Sequence, residues 1–304
     1  SAPAVTYPAG AISLDDSGDS VLIKSDDVVI GFDKGTGLPS SIVMEDEELL
    51  ASPFKFNLVR AAIDNDMQDI RTWEKELRLY DMQTRVESFG LVSESEDAVT
   101  LHGTYVIGPF VLTPFWKVDI DWTVLRGGEI FCQMDAKWLK EKTWTLPRFG
   151  FEFMLAKGHE NVTWFGRGPS ENYVDKKHAA RVGRYSSKVR DMFTHYVYPQ
   201  ENGSHCDCDY VLVSNHRTQL AFTSDTPFSF NASAYTQEEL TEKAHNYELV
   251  PCDSTVLCID YAQNGVGSNS CGPKLRDPYR FKEQRFLFKV KMFLSDIPTN
   301  TQNA

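Results

Sequence analysis

Several features of membrane and secreted proteins are missing from this chain. No apolar run approaches the roughly 18 residues that cross a bilayer, and residues 1–10 lack the basic and apolar parts of a signal peptide. Only six of the 304 residues are cysteine, which is too sparse for a disulfide scaffold at this length. We therefore expect reduced thiols, no membrane partner, and a cytoplasmic rather than a secreted location.

Basic residues are also few. The chain has 31 Lys and Arg against 43 Asp and Glu, for a formal net charge of -12. A nucleic-acid partner is not expected, because phosphate binding needs a basic surface that releases counterions. A neutral or cationic ligand is easier to accommodate. With 41% hydrophobic residues, the chain can bury a sizeable core.

Alternation of apolar and polar residues is the strongest pattern that is present. It runs through 118–124, turns at 126–128 and resumes over 130–138, which predicts a long antiparallel hairpin. Further strands are predicted at 99–107, 149–153 and 286–294, with short strands between 21 and 42. Many strands joined by glycine-rich turns predict an all-β sandwich.

Helix signals are few. Residues 69–80 have helical spacing, and Thr236 with Glu239 forms a capping-box pattern that opens a short helix ending near His245. We expect residues 1–20 to be a linker or edge segment, 21–296 to form one domain, and 297–304 to be a frayed tail.

The segment 164–175 combines aromatic side chains with Arg167, Glu171 and Asp175. Aromatic faces and planar hydrogen-bonding groups bind sugars, whose rings have an apolar face and a rim of hydroxyls. The structural alternative is a turn in which Arg167 pairs with Glu171 or Asp175. The residues themselves leave both interpretations open.

Two other segments suggest binding chemistry. In 198–209, His205, Cys206 and Cys208 superficially resemble a metal site, but the Cys-x-Cys spacing lacks a second close pair of ligands, so no metal is expected. The Gly, Ser and Asn residues of 264–273 form a permissive loop, which is more typical of a recognition element than of a linker. Cys271 lies in that loop without a base that would make it a nucleophile.

Taken together and in order, these motifs resemble the small-chain, or fifth, domain of the glycoside hydrolase family 2 β-galactosidases. The resemblance covers roughly 21–294 and rests on four motifs. They are Arg60, Ala61, Asp64, Asn65 and Asp66; Gly166, Gly168, Pro169, Glu171, Asn172, Tyr173 and Asp175; Pro199, Glu201, Asn202 and Gly203; and Phe228, Phe230, Asn231, Ser233 and Tyr235.

The resemblance implies a large antiparallel super-sandwich of the galactose mutarotase-like kind. It also implies that this chain is the carboxy-terminal domain or small subunit of a β-galactosidase and holds no catalytic residue. The catalytic glutamates would lie on a barrel, in cis or in a large subunit, within an oligomeric enzyme. No cofactor is expected in this chain, since the family's Mg and Na ions lie outside it.

The same resemblance implies that the loop 264–273 enters the sugar site, with Asn269 and Cys271 as the substrate-contacting residues. This chain departs from the family at Cys271, where the family places a Trp against the sugar. A thiol has no stacking face, so either another aromatic residue replaces it or the aglycone side is wider.

Two other functions stay open. A free-standing aldose 1-epimerase-like isomerase would need a His acid and a Glu base, with His178, His195 or His205 acting beside Glu201. A carbohydrate-binding module would instead need a polar cluster on a concave face, for which the candidates are Asp64, Arg167, Glu171 and Glu201.

Overall fold

A computed structural model describes residues 11–25, 27–142, 144–268 and 270–297. Their strands form two antiparallel sheets. The small sheet is a meander of β1 (Ile12–Asp15), β2 (Ser20–Ser25), β3 (Val28–Asp33), β4 (Pro39–Met44) and β5 (Glu47–Glu48), each paired with the next. Strands β2, β3 and β4 are the short ones that the sequence predicts over 21–42; β1 precedes them at one edge of the sheet and β5 follows them at the other.

Within the described residues, the large sheet has twelve strands. They are β6 (Leu50–Asn57), β7 (Met82–Glu94), β8 (Ala98–Pro109), β9 (Trp116–Leu125), β10 (Ile130–Trp138), β11 (Arg148–Leu155), β12 (Asn161–Gly168), β13 (Arg181–Lys188), β14 (Ser204–Ser214), β15 (Thr218–Ser233), β16 (Thr255–Gln263) and β17 (Arg285–Asp296). Their main order is β13-β12-β14-β15-β17-β10-β9-β8-β7. A branch of β16, β11 and β6 leaves the long strand β15.

Strand β15 belongs to both parts of this sheet. Residues 218–224 pair with β17, whereas residues 229–233 pair with β16. The branch β16-β11-β6 therefore folds back over β7–β10 and β17. Its aromatic residues fill the space between the layers, where the ring of Phe149 lies 4.9 Å from that of Trp116 and Phe151 lies 5.7 Å from Trp122. Each aromatic pair contributes about 0.5–1.5 kcal/mol beyond the burial of its surface.

The predicted hairpin is confirmed as β9 and β10, with Val124 opposite Ile130 and Trp116 opposite Trp138. Its apolar side chains are buried and the alternate residues are partly exposed, as a two-residue period requires. The expectation of a large, antiparallel, all-β fold is likewise confirmed.

The predicted helix over 69–80 is wrong in its extent. Only a π-helical turn at Thr72–Glu76 and a 3-10 turn at Leu79–Asp81 form, because Arg78 adopts a left-handed conformation with φ 50° between them. The helical spacing instead reflects the burial of Trp73 and Leu77.

The helix predicted to open at Thr236 is confirmed as α1 (Gln237–Glu242), where the Thr236 hydroxyl accepts a hydrogen bond from the Glu239 nitrogen at 3.1 Å. It ends before His245, since Lys243 is already extended. Of the predicted terminal segments, 1–10 and 298–304 lie outside the described residues, so the division into domains stays a prediction. No helix in the described part of the chain is long and apolar enough to span a membrane.

Candidate functional site

The candidate site is built on the sheet face that points away from the aromatic core. Because side chains alternate along a strand, Phe149, Phe151 and Phe153 of β11 face the core while Arg148 and Glu152 face the opposite side. Cross-strand pairs continue this second face onto β6, β15 and β16. We call it the polar face; it comprises Lys55, Asn57, Arg148, Glu152, Asn231, Cys258 and Asp260.

Arg148 is the centre of a buried ion network on the polar face. Its Nη2 lies 2.7 Å from Oδ2 of Asp260, its Nη1 lies 3.3 Å from Oε2 of Glu201, and all three side chains are fully buried. Burial alone would lower the pKa of Arg148, but the two carboxylates outweigh that effect and raise it well above the usual value. Arg148 is therefore permanently charged, and its two partners compensate a charge that would otherwise be costly to bury.

Glu201 joins three of the sequence motifs. Its carboxylate accepts hydrogen bonds from Nδ2 of Asn231 at 3.2 Å and Nε2 of Gln237 at 3.1 Å, in addition to the bond from Arg148. The hydroxyl of Tyr173 lies 3.5 Å away. With both oxygens occupied, Glu201 serves to hold the segments together.

One side of the loop 264–273 is fastened by the motif at 60–66. Arg60, fully buried and paired with Asp66 at 2.7 Å, donates to the carbonyl oxygens of Asn264 at 2.9 Å and Gly265 at 3.1 Å. Asn65 donates to the carbonyl oxygen of Gly267 at 2.7 Å.

The other side of the loop is fastened by Asp175. Its carboxylate accepts hydrogen bonds from the backbone nitrogens of Val266 at 2.9 Å and Gly267 at 2.7 Å. Glycine is required at 265, since a Cβ there would lie 2.7 Å from Cγ of Asp175, and at 267, where φ is +60°. The base of the loop is thus held in one conformation.

The tip of the loop is open to solvent. Ser268, Ser270 and Cys271 are exposed, and Ser270 is tied back to Asn65 by a hydrogen bond of 3.0 Å from its nitrogen. Asn269, the other residue predicted to contact substrate, lies outside the described residues. The result is a polar tip on a fastened base.

The four residues predicted as one polar cluster do not share one set of contacts. Arg167 pairs with Asp207. Glu171 binds Lys176 at 2.9 Å, the Gly203 nitrogen at 2.8 Å and the Tyr196 hydroxyl. These contacts outweigh burial and lower the pKa of Glu171.

The other two members of that cluster lie apart as well. Glu201 is inside the buried network, and Asp64 is exposed on the 3-10 turn Asp64–Gln68. The turn in which Arg167 pairs with Glu171 or Asp175 is not formed either, because the Arg167 guanidinium is hydrogen-bonded to Asp207 instead. The sequence could not show this, since Asp207 lies 40 residues further along the chain.

The histidines considered for an isomerase are in different surroundings. His205 is buried between the rings of Trp164 at 4.4 Å and Phe230 at 5.3 Å, and its Nδ1 donates to the Arg167 carbonyl oxygen at 3.1 Å. Burial lowers its pKa to about 4, so it is neutral at pH 7. His178 and His195 are exposed.

Cys206 and Cys208 are also buried. Burial raises the pKa of Cys206 to about 12, and its thiol donates to Oδ1 of Asn172 at 3.1 Å. Among the residues that the structure describes, no three His, Cys, Asp or Glu side chains are grouped as they would be around a metal ion.

Sequence reasoning missed Arg148 and Asp260 as functional positions, and it named Asp175 within the segment 164–175 without its contacts to the loop. A signal for Arg148 was present, because a charged residue next to alternating phenylalanines is unusual in a strand buried on both faces. Nothing in the sequence shows that Glu201 and Asp260, which lie 53 and 112 residues away, supply its partners.

Comparison with known proteins gives a consistent result. The family model described as "Beta galactosidase small chain" matches residues 24–292. The chain is 40% identical over 266 residues to a β-galactosidase from Actinobacillus pleuropneumoniae and 33% identical over 261 residues to one from Staphylococcus xylosus. Each alignment covers 86% of this chain but only 25% and 26% of the relative. The chain thus spans about a quarter of the length of these curated relatives.

Among solved structures, a galactose 1-epimerase from Lactobacillus acidophilus NCFM is similar with a TM-score of 0.49 and 8% identity. The alignment covers 94% of this chain and 98% of the epimerase.

Proposed function

We propose, since this chain belongs to the β-galactosidase small-chain family, that it is the non-catalytic carboxy-terminal domain or small subunit of a β-galactosidase. In this proposal it supplies the loop 264–273 to a galactoside-binding site whose bond-breaking carboxylates are on the remainder of the enzyme. The observation that carries the proposal is the fastening of that loop from both sides, by Arg60 and Asn65 and by Asp175.

A fastened loop suits this role because substrate positioning depends on groups held within a fraction of an ångström. The loop's base uses backbone amides and carbonyls for its anchors, which leaves its tip free to meet a sugar. Ser268 offers a hydroxyl that can hydrogen-bond to a sugar, and the Ser270 hydroxyl, which donates to Oδ1 of Asn65 at 2.8 Å, can still accept a hydrogen bond from one. Cys271 adds a small thiol, which leaves more room beside the aglycone than a Trp would.

The carboxylates of the predicted cluster support a non-catalytic role. A retaining glycosidase needs two carboxylates about 5 to 5.5 Å apart, flanking the bond. Asp64 is exposed and lies apart from the other two carboxylates, whereas Glu201 and Glu171 each accept hydrogen bonds on both oxygens, so neither glutamate is free to act as a nucleophile or acid.

The partner in this proposal is the catalytic barrel, in cis or as a large subunit, within an oligomer. The family's Mg and Na ions would bind outside this chain. All six cysteines are free thiols, which supports the proposed cytoplasmic location.

A chimera tests the proposal. Residues 24–292 of this chain replace the matched quarter of the Actinobacillus pleuropneumoniae β-galactosidase, and hydrolysis of a chromogenic β-galactoside is compared with that of the truncated relative. We expect the chimera to be active and the truncated relative to lack activity. A folded but inactive chimera, or an equally active truncated relative, would contradict the proposal.

A further inference from the structure

We propose that a cleft between β6, β7 and α1 is a second binding site, for a neutral monosaccharide, separate from the loop 264–273. The cleft has a volume of about 330 Å³. That volume is at the low end for ligand-binding clefts, which range from about 300 to 1,000 Å³, and it suits a single sugar ring.

A cross-strand ion pair of a half-exposed lysine and a buried glutamate lines the cleft. Glu152 of β11 lies opposite Lys55 of β6, with Nζ and Oε1 2.7 Å apart. The Glu152 side chain is only 5% exposed. Within the described part of the chain, its other oxygen, Oε2, has only the long contacts of 3.4 Å to Nδ2 of Asn57 and 3.9 Å to Sγ of Cys258. A buried carboxylate oxygen without a short partner is a strong acceptor for a ligand hydroxyl.

The walls combine apolar and hydroxyl-bearing side chains. Phe56 and Leu79 are among the lining residues, and Thr84, Thr241 and Tyr80 contribute hydroxyl groups. The hydroxyls of Thr241 and Tyr80 donate to the backbone carbonyls of Gln237 and Arg60 and can still accept hydrogen bonds from a ligand. An apolar surface beside several hydroxyls matches the apolar face and the polar rim of a pyranose.

The charges around the cleft favour a neutral ligand. Among the described residues that line it, three carry carboxylates, Glu152, Glu238 and Glu242, against the single ammonium of Lys55. Phosphate or carboxylate ligands would be repelled. A cationic ligand is disfavoured because Lys55 already occupies the space between Glu152 and Glu238, at 2.7 and 3.7 Å.

The test is calorimetric titration of the purified chain with galactose and glucose. We expect saturable binding of at least one of them with Kd on the order of 1 mM, as the few atoms of a single sugar allow. Galactose 6-phosphate and galactosamine should bind at least about tenfold more weakly than the preferred neutral sugar.

A matched pair of variants locates the binding. Thr84→Trp fills the cleft from an exposed position of β7, and we expect at least about a tenfold loss of affinity. The neighbouring Arg85 is exposed and points to the opposite side of the strand, so Arg85→Trp should bind like the parent chain. Thermal melting confirms that both variants are folded.

Three outcomes would overturn the inference. They are the absence of saturable heat with both neutral sugars, equal affinities of the two Trp variants, and tighter binding of galactosamine or galactose 6-phosphate than of either neutral sugar. Failure here is distinguishable from failure of the proposed function, because Thr84→Trp should leave hydrolysis by the chimera intact and Cys271→Ala should leave monosaccharide binding at the cleft intact.

Discussion

The carboxylate of Asp175 lies 2.7 Å from the backbone nitrogen of Gly267 and fastens the loop 264–273 to the motif in which Asp175 occurs. The Val266 nitrogen donates a second hydrogen bond, of 2.9 Å, to the same carboxylate. The segment 164–175 and the loop 264–273 are thereby joined, and the conformation of the loop depends on Asp175, which lies outside it.

Replacement of Asp175 by Ala should loosen the loop without unfolding the domain. Each lost charge-assisted hydrogen bond is worth about 1.5–3 kcal/mol. We expect kcat/KM of the chimera to fall on the order of a hundredfold, because small displacements of a positioning group are costly. Steady-state kinetics measures this. Asp191→Ala is the control, since Asp191 is 64% exposed and its one ion pair within the described part of the chain is 3.7 Å long. A parental rate for Asp175→Ala would contradict the role.

Gly265→Ala should displace the same loop by steric conflict. The added Cβ would lie 2.7 Å from Cγ of Asp175 and 2.9 Å from Cδ1 of Leu275. Asp175 cannot withdraw without breaking its bonds to the loop, so we expect a stability loss of about 1–3 kcal/mol and weaker hydrolysis by the chimera. Gly90→Ala is the matched control, because no atom of the described residues, its chain neighbours aside, lies within 4 Å of the position that its Cβ would take. Equal melting temperatures for the two variants would refute the steric argument.

Removal of Arg148 should be strongly destabilising. In Arg148→Met the carboxylates of Asp260 and Glu201 stay buried without their cation, which costs about 3–5 kcal/mol. Urea denaturation of the isolated chain measures the loss. Lys157→Met is the control and should change stability by less than about 0.5 kcal/mol, since its pair with Asp253 is largely exposed. Similar effects in both variants would show that the buried network contributes little.

Stability should fall on mild acidification because of His205. Its pKa is about 4 in the folded chain and 6.5 in the absence of burial, so the unfolded chain binds more protons between these values. The folded state therefore loses stability as pH falls from 6.5 towards 4, by about 2 kcal/mol between pH 7 and pH 5. Urea titrations at both pH values test this.

His205→Gln serves as the comparison for the pH effect. The variant is expected to be less stable at pH 7 but to lack this contribution to the pH dependence. Glu171, whose pKa is lowered, loses its own stabilising effect only below its usual value of 4.5, outside that interval. If the free energy of unfolding of His205→Gln still differed between pH 7 and pH 5 by as much as that of the parent chain, the pH effect would belong to other groups.

The sequence predicted the strands best where one face is buried. In β9 and β10 the apolar residues alternate with partly exposed ones, so a two-residue period is directly visible. Strand β11 is buried on both faces, and its charged residues could have been taken for solvent-exposed ones. The partners of Arg148 come from other strands and loops, which no local pattern reveals. The helix over 69–80 was overestimated because Trp73 and Leu77 mimic helical spacing in a segment that Arg78 interrupts.

The sequence identified the segments that form the candidate site, but it did not show which residues of these segments contact each other. The loop 264–273 and the motifs around Glu171 and Glu201 were found from their composition and from the family resemblance. The fastening of the loop by Arg60 and Asp175 depends on a fold that joins residues 92 and 204 positions apart, as the bonds from Gly267 to Asp175 and from Arg60 to Asn264 show.

The most direct measurement is the turnover of a chromogenic β-galactoside by the purified chain alone, beside the chimera at equal concentration. If the bond-breaking carboxylates lie outside this chain, the chimera hydrolyses the substrate. The isolated chain then shows no hydrolysis above the rate measured in buffer without protein. Hydrolysis by the isolated chain that is abolished in Glu171→Gln or Glu201→Gln would contradict the account and place catalysis within these residues.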